Sequence, residues 1–472
     1  MILLADLLAA TGGQVHGPIG PTAVGPTAFG STTFESFCFD SRVIRPGQLF
    51  LAVKTERADG HDYIADACAG GATGVLCQHP VDTCATCIVV PDTRQAIQDW
   101  ARFILAKQQV AVIGITGSVG KTTAKEAIAA VLGALAPDSA VFKNRANYNG
   151  LYGLPIALGE LRPEQRIAVL EMAADHLGEI GRLARIAPPD IAVVTTVEPA
   201  HLEAFGSLEA IAREKGDLVA ALRPTGLAVL NADDPRVLAM VKRTSAQVIT
   251  YGTCVEDNHG DTENTENGED SGRSPRAPRL RGSICPDVYA TDILVSREGT
   301  SFTVNTPAGS RKINILLLGR HQVYAALAAI AVGLARGVEL DTIAGRLAAM
   351  PRVPGRLNPL PGRRGSLLLD DSYSASPAAV EAALETLAAL DARHRIAVLG
   401  DMLELGDYET TGHERVGRQA ARVLDLLVTK GNRARRSCWR RWASSSTHRR
   451  PSSSSCNRKA SGLPRCGRCS AS

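Results

Sequence analysis

A chain of 472 residues with 45% hydrophobic and 21% charged side chains describes a soluble globular protein with a sizeable core, long enough for about three domains. No run of about 18 uncharged apolar residues occurs, so no membrane span is expected. The net charge of +4 gives no support to a nucleic-acid partner, because residues 430–472 hold twelve Lys or Arg and no acid, and without them the charge is −8.

The start, Met1-Ile-Leu-Leu-Ala-Asp6, has no basic stretch before its apolar residues and makes a poor secretion signal. Residues 110–115 read as a buried strand. They run into Gly114-Ile-Thr116-Gly117-Ser118-Val119-Gly120-Lys121-Thr122-Thr123, after which Ala124, Ile128, Leu132 and Leu135 recur at helical spacing. Strand, glycine loop and helix together suit phosphate. Loop N–H groups and the helix N-terminus present positive charge to phosphate oxygens. Lys121 can reach the outer phosphates and Thr122 can hold Mg²⁺. An ordinary glycine turn is the plain alternative, and Gly-Lys-Thr-Thr in this setting argues against it.

Further strands are expected at 167–171, 191–197, 226–230, 247–251, 366–370 and 396–400. Helices follow several of them, the sequence form of parallel α/β layers. Glu171 ends one strand and His201 follows the next. Ligands in open α/β folds lie beyond carboxyl ends, so both can face the phosphate loop. Ser207 reads as an N-cap, and Leu208, Ile211, Ala212, Leu218, Val219 and Leu222 form the apolar face of the next helix. Lys215 falls on that face, where a lysine is costly unless it is paired or modified; snorkelling to water is the plain alternative.

Two stretches break the pattern. Residues 252–283 are acidic, then Arg-rich, cannot build a core, and read as a mobile insertion. Residues 431–472 are rich in Arg, Ser and Cys and read as a disordered basic tail, consistent with a frameshifted end to the coding sequence. Of eleven cysteines, Cys84 with Cys87 and Cys466 with Cys469 form CxxC pairs. These pairs lie too far apart for a zinc site. Scattered thiols suit a reducing cytoplasm, where the chain is placed.

The variant Gly-x-x-Gly-x-x-Gly-Lys-Thr resembles the Mur ligases, which join an amine to a carboxylate using ATP. The stretch from His201-Leu-Glu-Ala-Phe-Gly to Arg-Glu-Lys215-Gly resembles theirs too. Asp40-Ser41-Arg42-Val43, with Pro46-Gly47-Gln48-Leu49-Phe50, looks like the family's UDP-sugar-binding domain. Asn147-Tyr-Asn149, the run Glu171 to Ile180, Asp370-Asp371-Ser-Tyr373 and Gly400-Asp401-Met402 resemble the branch that adds D-alanyl-D-alanine. The family's usual His-Asn-x-x-Asn is His321-Gln322-Val-Tyr-Ala325 here, and Glu171-Met-Gly is Glu171-Met-Ala173.

The resemblance implies an α/β fold of three domains. These are a UDP-substrate domain (1–105), a central P-loop ATPase domain (106–350) and an incomplete Rossmann-like C-terminal domain (351–430). It implies ATP, Mg²⁺, UDP-N-acetylmuramoyl-tripeptide and D-alanyl-D-alanine as ligands of a monomeric cytoplasmic enzyme of cell-wall precursor synthesis. Lys121, His201 and Lys215 are implied as catalytic, with Lys215 carbamylated. Thr116, Gly117, Ser118, Gly120, Lys121, Thr122, Thr123, Asn231, Arg356 and Asp371 would bind ATP. Ser41, Arg42, Asn147, Asn149 and Tyr373 would bind substrate, and Thr122, Glu171, His201 and Lys215 would hold metal. Another amino-acid ligase of the family, or a catalytically impaired nucleotide-binding protein, are the alternatives.

Overall fold

The computed structural model describes residues 1–17, 32–56, 58–83, 85–135, 140–145, 148–254 and 285–434. The chain divides into two units, Met1–Ser374 and the residues from Ala375 on.

The first unit opens with β1 (Ile2–Leu3), α1 (Leu4–Thr11), β2 (Gln14–His16), β3 (Thr33–Phe34), β4 (Phe37–Cys38), β5 (Leu49–Leu51), α2 (Ile64–Ala69), β6 (Gly74–Cys77), β7 (Thr86–Val89) and α3 (Thr93–Lys107). Five strands form one sheet in the order β2-β7-β6-β5-β4. The Asp92 carboxylate caps α3 by accepting from the N–H groups of Arg94 and Gln95. Ala96, Ile97, Trp100, Ala101 and Ile104 make its buried stripe. Trp100 meets Phe37 edge-on, with ring centroids 4.9 Å apart.

Next come β8 (Ala111–Thr116), α4 (Lys121–Leu132), β9 (Val141–Lys143), α5 (Gly153–Leu158), β10 (Ile167–Glu171), α6 (Glu179–Ile186), β11 (Ile191–Val194), α7 (Leu202–Phe205), α8 (Leu208–Ala220), β12 (Leu227–Asn231), α9 (Pro235–Leu238), β13 (Gln247–Thr253), β14 (Val288–Val295), β15 (Thr300–Thr306), β16 (Gly309–Ile315), α10 (Arg320–Ala335) and α11 (Leu340–Ala349). Nine strands form one sheet, ordered β16-β15-β14-β13-β12-β11-β8-β10-β9. From β9 to β14 the neighbours run parallel, and β15 and β16 add an antiparallel edge. Strands β10, β11 and β12 are buried along their whole length, as parallel strands covered on both faces must be. The parallel register brings the carboxyl ends of β8, β10 and β11 side by side. A hairpin of β17 (Asn358–Pro361) and β18 (Leu367–Asp370) ends the unit.

The second unit holds α12 (Pro377–Ala389), β19 (Ile396–Leu399), α13 (Glu409–Val423) and β20 (Leu426–Thr429). The two strands are parallel, joined through α13. Leu384, Met402, Leu405, Val416 and Ala420 fill its core. The outer sheet face, Ile396, Val398, Leu426 and Val428, is exposed.

Three expectations change. Composition puts the start of the insertion at 252, but Gly252 and Thr253 pair with Tyr289 and Ala290 as the end of β13; residues 255–284 lie outside the described residues. Composition puts the start of the disordered tail at 431. Ala434 is buried, however, and its N–H donates to Asp401 Oδ1 at 2.7 Å, while Arg433 pairs with Glu409 at 2.8 Å. Those partners fix residues 431–434, and 435–472 lie outside the described residues. Cys254 and Cys285, read among scattered thiols, are joined by a disulfide, because the pairing of β13 with β14 brings their Cα atoms to 5.2 Å. Cys38, Cys77 and Cys87 are free thiols. Among the described residues no helix is long and apolar enough to cross a membrane.

Candidate active site at the carboxyl edge of the central sheet

The loop between β8 and α4 is clamped from the end of β11. Ser118 N–H donates to Thr196 O at 2.8 Å and Val119 N–H to Thr196 Oγ1 at 3.1 Å. Thr195 Oγ1 donates to Val119 O at 2.6 Å, and Ser118 Oγ to Glu198 O at 3.0 Å. Two glycines let the backbone take this path. Gly120, with φ +87°, is the residue before α4. Gly117 has φ +147°, and a Cβ there would stand 1.9 Å from Thr195 Oγ1. Thr116 and Thr123 are buried beside them. Lys121 Nζ donates to its own loop, to Gly117 O at 2.7 Å and Ser118 O at 3.1 Å. Burial holds this ammonium below the usual lysine range; Arg356 adds to the shift and Glu171 and Asp175 oppose it.

Glu171, the last residue of β10, is 3% exposed. Thr122 Oγ1 donates to its Oε2 at 2.9 Å and Asn149 Nδ2 to its Oε1 at 2.9 Å. Asn144 fixes its backbone in both directions, accepting from Glu171 N–H at Oδ1 and donating from Nδ2 to Glu171 O. The nearby motif, residues 173–180, is anchored by Glu214. That buried carboxylate accepts from the N–H groups of Gly178 and Ile180 at 2.6 Å each, at the positive end of α6.

Lys215 lies on the buried face of α8, 5% exposed. Ser207 caps that helix by accepting from Ala210 N–H, as its sequence suggested. Burial, then repulsion from Lys121, brings the Lys215 pKa down to about 7, against the pull of Glu214 and Asp175. Lys215 therefore does not snorkel; it is buried close enough to feel the phosphate-loop lysine. His201 takes a left-handed backbone, φ +54°, before α7, and its Nδ1 stands 3.9 Å from Asp175 Oδ1.

Several remaining candidates are tied to this edge. Asn231 Nδ2 donates to Thr195 O at 2.9 Å, behind the clamp on the loop. Asp371 Oδ1 accepts from Leu357 N–H at 3.1 Å, and burial raises the Asp371 carboxyl. The Arg356 guanidinium lies 4.2 Å over the Tyr373 ring. Ser41 and Arg42 are apart from this group. They form a short turn after β4, where Asp40 accepts from Arg42 through both oxygens, holding the Asp40 carboxyl down to about 2. Asn147 lies outside the described residues. In the His321-Gln322-Val-Tyr-Ala325 run, Gln322 is buried, and Tyr324 Oη donates to Asp233 Oδ2 at 2.7 Å. Burial depresses His321 to about 4.

The sequence reading missed Thr195, Thr196, Asn144, Glu214 and Lys125. Lys125 had a signal: a lysine one turn beyond Lys121 inside an apolar helix face. The other four are recognised only through their partners in the fold.

Sequence models of known families match three stretches: "Mur ligase family, catalytic domain" over residues 34–111, "Mur ligase middle domain" over 115–333, and "Mur ligase, glutamate ligase domain" over 355–449. The UDP-N-acetylmuramoyl-tripeptide–D-alanyl-D-alanine ligase of Escherichia coli (strain K12) is 35% identical over 396 residues, 84% of this chain and 81% of its own length. The ligase of the same name from Mycobacterium tuberculosis (strain H37Rv) is 37% identical over 424 residues, covering 83% and 76%. Among solved structures, MurF from Acinetobacter baumannii superposes with a TM-score of 0.78 at 30% identity, covering 94% of this chain and 88% of that one. MurF from Thermotoga maritima in complex with ADP gives 0.71 at 29%, covering 85% of each. With its glycine loop, its strand-end glutamate and its buried α8 lysine on one sheet edge, and with matches running nearly end to end, the chain belongs to the Mur ligase family.

Proposed function

We propose that the chain is an ATP-dependent amide ligase that adds D-alanyl-D-alanine to UDP-N-acetylmuramoyl-tripeptide. The observation that carries this reading is the site just described, on a chain whose relatives at 35% and 37% identity bear that name. A carboxylate is a poor electrophile, because its leaving group would be oxide. Transfer of the ATP γ-phosphoryl to the tripeptide's terminal carboxylate makes an acyl phosphate. The dipeptide amine then attacks the carbonyl, and the tetrahedral intermediate collapses to the amide as phosphate leaves.

This reading gives each residue a part. The N–H groups from Gly120 to Thr123, beyond the two that bond Thr196, and with them the N-terminus of α4, cradle the phosphates. Lys121 exchanges its carbonyl partners for phosphate oxygens and offsets the charge of the transferring group. Thr122 Oγ1 and Glu171 Oε2, 2.9 Å apart, are hard oxygen donors that fit a Mg²⁺ whose other ligands come from phosphates and water. Bound there, the cation would neutralise phosphoryl charge. Lys215 has an amine of the kind CO₂ can carbamylate, which supports the reading that it joins Glu171 and His201 as an anionic metal partner. Asn231, Arg356 and Asp371 serve as nucleotide contacts on this reading, and Asn147, Asn149 and Tyr373 as contacts of the acceptor. Ser41 and Arg42 serve the UDP end. The domains run 1–105, 106–350 and 351–430.

The test is phosphate release by the purified full chain with ATP, Mg²⁺, the UDP-muramoyl tripeptide and D-alanyl-D-alanine. Release should require both substrates together. Equal turnover with free glutamate, or release without the dipeptide, would overturn the reading.

A further inference from the structure

One buried cation of the site has no part in the chemistry above. Lys125 is 1% exposed, on α4 one turn beyond Thr122. A buried ammonium is costly unless paired, and this one has three partners. Its Nζ donates to Asn144 O at 2.7 Å, and stands 3.6 Å from Glu126 Oε1 and 3.9 Å from Glu171 Oε2. Glu126 has a second cation, Lys143, at the surface. Glu171 has no other basic side chain within ion-pair distance among the described residues.

The placement is directional. Asn144 immediately follows β9, so the bond from Lys125 ties α4 to the end of that strand. The Asn144 amide clasps the Glu171 backbone on both sides, and Asn149 binds Oε1. Oε2 is left between the Thr122 hydroxyl, its donor, and the Lys125 ammonium. Those two flank the one carboxylate oxygen that the proposed function gives to a divalent cation.

We propose that Lys125 is a positioning residue, a fixed counter-ion that keeps Glu171 Oε2 turned toward Thr122 and weakens that oxygen's hold on a divalent cation. The inference rests on the reading of Glu171 as a metal carboxylate. A unit positive charge on one side of Oε2 lowers its attraction for a doubly charged ion on the other. In a region shielded from water this effect is not screened away. The consequence is a cation held loosely enough to exchange with the nucleotide in each turnover.

Mn²⁺ binding to the full-length protein with saturating ADP, followed by the free-ion paramagnetic resonance signal, tests this directly. Lys125→Gln can still donate to Asn144 O but carries no charge, and it should bind Mn²⁺ about three- to tenfold more tightly than the parent. Lys125→Arg keeps the charge and should stay within about twofold of the parent. Lys125→Met is a second neutral variant in case the first does not fold. Glu171→Gln should lose the site. If Glu171→Gln binds Mn²⁺ like the parent, the metal assignment itself is wrong. If Glu171→Gln loses the site while the neutral Lys125 variants bind like the parent, or more weakly, the counter-ion role is wrong and Lys125 is only a structural tie.

Discussion

Gly117→Ala isolates the geometry on which the phosphate loop depends. The substitution adds one methyl group to a residue at φ +147°, and that carbon would stand 1.9 Å from Thr195 Oγ1 and 3.0 Å from Thr196 N. An L-residue held at such a φ costs about 1–3 kcal/mol. Moving the Thr195 hydroxyl aside breaks its 2.6 Å bond to Val119 O, a further loss of about 0.5–1.5 kcal/mol. The sum, roughly 2–4 kcal/mol, falls on a loop whose other side is open to ligand, so it should appear mainly as lost nucleotide affinity, about 30-fold or more. Gly120→Ala is the control. Its φ is +87° but its nearest neighbour is Thr195 Cβ at 3.9 Å, so only backbone strain of about 1 kcal/mol is expected, a loss of about fivefold. Thr195→Ala in the Gly117→Ala background removes the 1.9 Å contact and should recover about 1 kcal/mol or more, a non-additivity that a double-mutant cycle reads. The assay is equilibrium titration of a fluorescent adenine nucleotide, with thermal melting alongside. Binding by Gly117→Ala within about threefold of the parent, at unchanged melting temperature, would refute the close approach of loop and strand.

Two further predictions address the lysines. Lys121→Ala should abolish ligation while shifting the melting temperature by no more than about 2 °C, because its side chain bonds only to carbonyls of its own loop; near-parental turnover would sink the phosphate-loop assignment. Lys215→Ala should lose activity that added formate or acetate partly restores. In the parent, at fixed dissolved CO₂, activity should fall as pH drops below about 7, since protonation there removes the free amine that CO₂ needs. A fully active Lys215→Ala enzyme would show that no carbamate is required.

The sequence and the structure agree most closely where one physical cause dominates. Residues 167–170 are apolar throughout, with Arg166 before them and Glu171 after, and β10 runs from Ile167 to Glu171. The Ser207 cap and the buried side of α8 were equally legible, because period and capping chemistry are local properties. What could not be read depends on pairs far apart in the chain. Asn144 matters through Glu171, 27 residues on. Thr195 matters because parallel pairing sets Val194 beside Thr116. The disulfide of Cys254 and Cys285 exists because two strands on either side of a long insertion are neighbours. Composition misled at 431–434, where the residues look like tail. Asp401 receives the Ala434 N–H and Glu409 pairs with Arg433, and together they keep that short piece in the fold.

The charges at the site suggest why one lysine would be modified and the other not. Lys121 and Lys215 are both depressed first by burial, and Lys215 is pushed further by Lys121, while Arg356 bears on Lys121. Before nucleotide arrives, these cations repel one another, with Glu171, Glu214 and Asp175 as the opposing charges. A polyphosphate relieves that repulsion at Lys121, whose ammonium already points along the loop that would hold it. On α8 Glu214 pulls the other way on Lys215, but burial outweighs it and brings loss of the proton within reach near pH 7. A neutral buried amine is the form that adds CO₂, and the carbamate that results is an anion. The modification would thus turn a charge that repels Lys121 into one that attracts it, and would place a second carboxylate-like group beside the cluster that contains Glu171. On this reading the depth at which α8 buries Lys215 is what makes the conversion favourable, so substitutions that open α8 to water should raise the Lys215 pKa and lower the carbamylated fraction together.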